Sequence, residues 1–264
     1  MNSNNTIKEI VKKKYGEIAS ASGGCCGSGS NCCGPDEMVN FAEGYDQLDG
    51  YEKDADLGLG CGLPTETAGI KNGDTVLDLG SGAGNDIFVA RAEAGSEGRL
   101  IGLDMVPEMV DKARKNARKL GHQNVEFILG EIEEIPLGEN EVDVVVSNCV
   151  LNLVPDKLKA YREIRRVLKP GGHFSISDVV LEGTLPAALE EAAIAYVGCV
   201  AGALQKAEYL QVIGKAGFQN VEVLKTRTIN LPRPMLESIL GQEGATAFLA
   251  SDVRVLSVTV RGEA

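Results

Sequence analysis

From Asp74 onward the chain alternates short apolar runs with longer segments whose apolar residues recur every three or four positions. TVLDLG is a short apolar run closed by glycine, the pattern of a buried strand, and GNDIFVARAEAG follows at helical period and stops at Gly95. RLIGLD repeats the strand pattern, and PEMVDKARKNARKLG the helical one, with Pro107 at its start and Gly121 at its end, where each is favoured. NVEFIL, EVDVVVSN and HFSISDVV predict three more strands, and DKLKAYREIRRVLK predicts a helix halted by Pro170-Gly171-Gly172. After residue 183 come helical stretches at about 186–198 and 206–217, then the strands QNVEVLKTRTI and VRVLSVTVR. Strands alternating with helices predict an α/β fold, a doubly wound and mostly parallel seven-stranded sheet with a helical insertion after the fifth strand. Continuous runs such as VDVVVS suit strands covered on both faces.

The beginning of the chain reads differently. Residues 6–20 predict a charged amphipathic helix with Ile7, Ile10, Val11 and Ile18 on one side. SASGGCCGSGSNCCGP is too rich in glycine and serine for regular structure, and residues 36–63 are acidic and irregular. The organisation expected is a cap with a cysteine-rich loop over residues 1–70, a ligand-binding core over 71–182, and insertion helices with the last strands over 183–264. The net charge of −12 argues against a nucleic-acid partner, which needs clustered Lys and Arg. There is no apolar run of membrane-spanning length and no secretory leader pattern, so no membrane association and a cytoplasmic location are expected. In that reducing compartment the seven cysteines are ligands, nucleophiles or redox centres rather than a disulfide framework.

The first strand runs into Asp78-Leu79-Gly80-Ser81-Gly82-Ala83-Gly84. A glycine turn lets backbone approach a ligand closely, and the following helix presents free N–H groups. Asp104, followed by Met105, ends the second strand, where a carboxylate can accept both hydroxyls of a ribose. The glycine spacing departs from the dinucleotide fingerprint, and Asp78 would repel a pyrophosphate. A carboxylate there suits a ligand with an ammonium group and no phosphate, as S-adenosylmethionine is.

Cys25, Cys26, Cys32 and Cys33 lie in the glycine-rich loop, Cys61 in GLGCGLP, Cys149 in SNCVLNLVPDK and Cys199 in YVGCVAGAL. Cys149 falls at the carboxyl edge of the fourth strand, where open α/β sheets bind ligands. The loop spacing, CC-x5-CC, is poor for zinc, whose ligands are usually spaced so that both sulfurs reach one ion. A soft thiophilic element or a disulfide relay suits it better. His122, in a helix-ending turn, and His173, at the start of a strand, read as surface or structural residues.

Over residues 70–180 the D-x-G-x-G turn and RRVLKPGG resemble the class I methyltransferase superfamily, which is Rossmann-like and uses S-adenosylmethionine. The resemblance implies that Gly130-Glu131-Ile132-Glu133 lines the adenine and that Asn148 faces the donor. SNCVLNLVPDK, GCGLP, GCVAGAL and YGEIA, spread over about residues 10–230, are similar to arsenite S-adenosylmethionine methyltransferases. That resemblance implies that Cys149 and Cys199 bind trivalent arsenic. It also implies that Cys61 pairs with one loop cysteine, Cys32 or Cys33 among them, in the redox part of the cycle and can itself bind arsenic. The implied partners are arsenite, methylarsenite and a thiol reductant such as thioredoxin or glutathione. Leu59 stands where some members have an aromatic residue, and nothing before residue 264 corresponds to the C-terminal extension of larger members. The lone pair of thiolate-bound arsenic attacks a methyl group without a general base. Two other functions fit the fold: methylation of an organic acceptor, which would need a base beside the methyl, and a metalloid sensor without turnover.

Overall fold

The computed structural model describes residues 3–20, 44–190, 200 and 202–264. Cys25, Cys26, Cys32, Cys33, Cys199 and most of the helix expected at 186–198 lie outside them. Helix α1 covers Ser3–Ser20. The central unit then runs β1 (Thr75–Leu79), α2 (Asn85–Ala94), β2 (Arg99–Asp104), α3 (Pro107–Leu120), β3 (Val125–Leu129), β4 (Val142–Asn148), α4 (Lys157–Val167) and β5 (Leu168–Glu182). A helical turn begins at 187–190, and the chain continues with α5 (Lys206–Lys215), β6 (Gln219–Thr228), α6 (Arg233–Ala250) and β7 (Arg254–Glu263).

Among the described residues the strands form one seven-stranded sheet in the order β3-β2-β1-β4-β5-β7-β6. The first five are parallel, and β7 is antiparallel to both β5 and β6. Val76, Leu77, Leu79 and Val144 to Val146 are buried because helices cover both faces, as their continuous apolar runs require. The chain lays down β1, β2 and β3 in one direction, then returns to place β4 on the other side of β1. The strand order therefore reverses between β1 and β4, and the loops leaving their carboxyl ends part there. No helix among the described residues is long and apolar enough to cross a membrane.

The stop signals act where the sequence puts them. Gly95 ends α2 with its N–H on the Arg91 carbonyl, and Gly121 ends α3 in the left-handed conformation. Asp156 caps α4 by accepting from the Lys159 N–H at 2.9 Å. Helix α4 stops at Val167, two residues short of the expected end, because Leu168 already pairs with Val142 in the sheet. Pro170-Gly171-Gly172 is thus a bend near the start of a long β5, whose register slips between Val142 and Val144. Helix α6 was not expected. Gly241 sits inside it at φ 73°, so the apolar residues before and after the break do not share one helical period.

The two histidines are structural. His173 Nε2 lies 2.5 Å from the Ala68 carbonyl oxygen, and the His122 ring packs against Phe88. The core under α4 and α5 is aromatic. Phe174 meets Phe218 edge-on at 4.8 Å and packs against Tyr161, which hydrogen-bonds Tyr209 at 2.7 Å. Phe174→Ala is expected to cost about 3–5 kcal/mol, read as a lower urea midpoint with unchanged slope. A loss below about 1 kcal/mol would contradict this packing.

Candidate functional site

A cleft of about 1120 Å³, part of it open to solvent, fills the point where the strand order reverses. Its floor is the turn from Gly80 to Ala83. Asp104, Met105 and Val106 form one side, Gly130 to Glu133 a second, and Asn148 to Val150 a third. Val11 and Tyr15, one turn apart on α1, close it from above.

The donor-side residues expected from the sequence do different jobs. Asp104 binds the turn itself: one carboxylate oxygen accepts the Gly82 N–H at 2.9 Å and the other the Val106 N–H at 2.9 Å. Burial raises its pKa, and those N–H groups oppose the rise. Asp78 lies beneath the floor rather than on it, 2% exposed, with one carboxylate oxygen lacking a hydrogen-bond partner. Burial, then the nearby carboxylates of Asp86 and Asp104, push its pKa well up. The Ser81 hydroxyl oxygen and the Asn85 side-chain oxygen are buried and equally unpartnered. Buried acceptors left open in this way mark a place where a ligand supplies hydrogens. Glu131 lines the cleft, but its carboxylate is taken by Lys8 at 2.7 Å and Lys12 at 3.1 Å. Lys8 also reaches Glu133. These pairs fasten α1 over the loop after β3, where Ile132 contributes an apolar wall.

Two residues of the site had no sequence signal. Asp86, in the first turn of α2, lines the cleft and accepts from the Tyr45 hydroxyl at 2.9 and 3.0 Å. Burial pushes its pKa up to about 6, against the hydrogen bonds from Tyr45 and Asn148. An acid at a helix N-terminus is ordinary, and Tyr45 stands in an irregular acidic stretch, so neither carries a pattern that sets it apart.

Of the cysteines expected from the sequence to bind the acceptor, Cys149 and Cys61 fall among the described residues. Cys149 follows the last residue of β4, with its N–H on the Ser177 carbonyl at 2.8 Å and φ at 62°. Positive φ is uncommon outside glycine and is a cost that clusters at functional positions. Here it turns the chain off the strand at the cleft. Cys149 is 3% exposed and lines the cleft, whereas Cys61 is 0% exposed and lies behind the lining. Both belong to one apolar cluster with Val179, Leu181 and Val200. The two sides touch: a Cβ added at Gly80 would lie 2.5 Å from a Val150 methyl group.

Asp86 gives a pH-dependent prediction. In the unfolded chain it ionises near pH 4, while in the fold it keeps its proton to about pH 6. The cost of burying its charge is therefore absent below about pH 4, grows to about pH 6 and is full above. Asp86→Asn is expected to be more stable than the native chain at pH 7.5 by on the order of 2 kcal/mol, with the gap closing towards pH 4. Urea denaturation across that range checks it, and a variant no more stable at pH 7.5 contradicts the assignment.

Comparison with known proteins agrees with this geometry. Residues 70–217 match the family described as a methyltransferase domain. The chain is similar to the arsenite methyltransferase of Halobacterium salinarum, 44% identical over 230 residues, covering 82% of this chain and 58% of that one. It is 36% identical over 197 residues to the arsenite methyltransferase of Homo sapiens, covering 70% of this chain and 49% of that one. The crystal structure of an arsenic (III) S-adenosylmethionine methyltransferase from Chlamydomonas reinhardtii superimposes with a TM-score of 0.65 at 35% identity, covering 76% of this chain and 66% of that chain. The chain thus spans between about half and two thirds of these relatives, 49–66%. With a matching family model across the sheet that carries the cleft, the chain belongs to the methyltransferase domain family.

Proposed function

We propose that the chain transfers a methyl group from S-adenosylmethionine to trivalent arsenic held by cysteine thiolates. The observation that carries this reading is the contact between the Gly80 turn and Val150, which puts Cys149 one residue from the donor side of the cleft. The names of the relatives support the same acceptor.

The cleft fits the donor. Buried carboxylates at Asp86 and Asp78 suit its positive charge, and the open oxygens of Ser81 and Asn85 suit its amino acid end. Asp104 is the ribose acceptor, with Met105 and Ile132 flanking the base. When bound, the donor supplies a methyl group on a sulfonium.

Cys149 and Cys61 hold the arsenic as thiolates, with Cys199 as a further ligand. Cys199 is outside the described residues, but Val200, its neighbour in sequence, packs in the cluster shared by Cys61 and Cys149. The arsenic lone pair forms the new As–C bond, and the breaking C–S bond leaves its electron pair on the donor sulfur. No proton leaves the nucleophile, which agrees with an acceptor side built from an apolar cluster. Asp86, a cleft carboxylate near Asn148, is already engaged by the Tyr45 hydroxyl. Holding the partners in line supplies the catalysis, ~7–11 kcal/mol in favourable cases. Methylation leaves arsenic two electrons more oxidised. Cys61 and a loop cysteine, Cys32 or Cys33, return them by forming a disulfide, which a thiol reductant such as thioredoxin or glutathione reopens. A reducing cytoplasm suits this chemistry.

Arsenite, donor and a thiol reductant incubated with the chain are expected to give methylarsenite, measured by chromatography with arsenic detection. Cys149→Ser is expected to lower the rate about 100-fold, as misplacing a reactant does. No methylated product from the native chain, or an undiminished rate in the variant, would overturn the proposal.

A further inference from the structure

The side chain of Asn148 lines the cleft, yet its amide is occupied by the acceptor loop. An amide oxygen accepts two hydrogen bonds and an amide nitrogen donates two. Asn148 Oδ1 accepts from the Cys61 N–H at 2.9 Å and the Gly62 N–H at 3.3 Å. Nδ2 donates to the Gly62 carbonyl at 2.7 Å and to the Tyr45 hydroxyl at 2.5 Å, with Asp86 Oδ2 a more distant acceptor at 3.4 Å. All four positions are used within the protein.

The loop is shaped to receive that amide. A Cβ at Gly60 would lie 2.6 Å from Asn148 Nδ2, and one at Gly62 would lie 2.6 Å from the Ser177 hydroxyl oxygen. Glycine on both sides of Cys61 is thus a requirement of close approach. The Cys61 carbonyl is held in turn, accepting from the Ser257 hydroxyl at 2.6 Å and from Arg227 Nη2 at 3.0 Å. Both backbone polar atoms of Cys61 are therefore fixed by side chains from three different strands.

We infer that Asn148 is a positioning residue for the acceptor, its amide clamping the Cys61–Gly62 segment onto the end of β4 so that the Cys61 thiol is in place before arsenic arrives. This rests on the reading of Cys61 as an arsenic ligand. A ligand held in its bound geometry loses less freedom on binding, which shows as affinity. Tyr45 extends the clamp, accepting from Asn148 while donating to Asp86 on α2. One chain of hydrogen bonds thereby joins the acceptor loop to the helix behind the donor turn.

The test uses the full chain and two readouts. The first is the rate at which iodoacetamide labels Cys61 without arsenic, followed by peptide mass mapping. The second is the pair of Michaelis constants for arsenite and for the donor. In Asn148→Ala the labelling rate of buried Cys61 is expected to rise about tenfold and the arsenite KM about tenfold, a larger change than in the donor KM. Gly60→Ala attacks the same contact from the loop side and should reproduce both changes, and it decides the matter if Asn148→Ala fails to fold. In the double variant the missing amide makes room for the new methyl group, so the two effects should not add. Unchanged Cys61 labelling in either folded variant overturns the clamp, as does a rise in donor KM with arsenite KM unchanged. If the native chain makes no methylated arsenic, the proposed function fails, while the labelling arm still decides the clamp.

Discussion

The parallel pairing of β1 with β4 is the constraint on which everything else here depends. Leu79 lies opposite Ser147, whose hydroxyl donates to the Leu79 carbonyl at 2.9 Å. Because the strands run the same way and end level, both loops leave the sheet at one edge. One is the glycine turn and the other carries Asn148, Cys149 and Val150. About seventy residues separate them in sequence, but Gly80 and Val150 are in contact. A donor site and a thiol thus become neighbours through the register of two strands.

The cost of the site is electrostatic. Asp78 and Asp104 are buried around the cleft and Asp86 is partly buried beside them, and loss of solvent raises the pKa of each. Isolated buried carboxylates destabilise a fold, and among the described residues no basic side chain hydrogen-bonds these three. The central sheet, with its apolar strands covered on both faces, carries that cost. A cationic ligand entering the cleft would relieve it, so the same groups that weaken the empty fold strengthen the bound one. The ion pairs of Lys8 and Lys12 with Glu131 and Glu133 add a roof over this acidic floor.

Much of this was legible in the sequence, and the exceptions have physical reasons. Strands buried on both faces announce themselves as continuous apolar runs, so β1 to β5 and the position of Cys149 at an edge followed directly. Helix α6 escaped notice because Gly241 breaks its period. The end of α4 was misplaced because Leu168 is apolar enough for either element, and sheet pairing with Val142 decided it. Asn148 was expected to face the donor, and it does line the cleft. Its commitment to Cys61 and Gly62 is a long-range contact that no local pattern encodes. Tyr45 and Asp86 belong to the same class, ordinary residues whose meaning comes from one another.

The most direct measurement of the central claim is arsenic K-edge X-ray absorption on the full chain loaded with one equivalent of arsenite. Two or three sulfur neighbours and no oxygen are expected for the native chain, with one sulfur replaced by oxygen in Cys149→Ser. An oxygen shell in the native chain, or a spectrum indifferent to Cys149, would contradict an acceptor gripped by sulfur at the edge of β4.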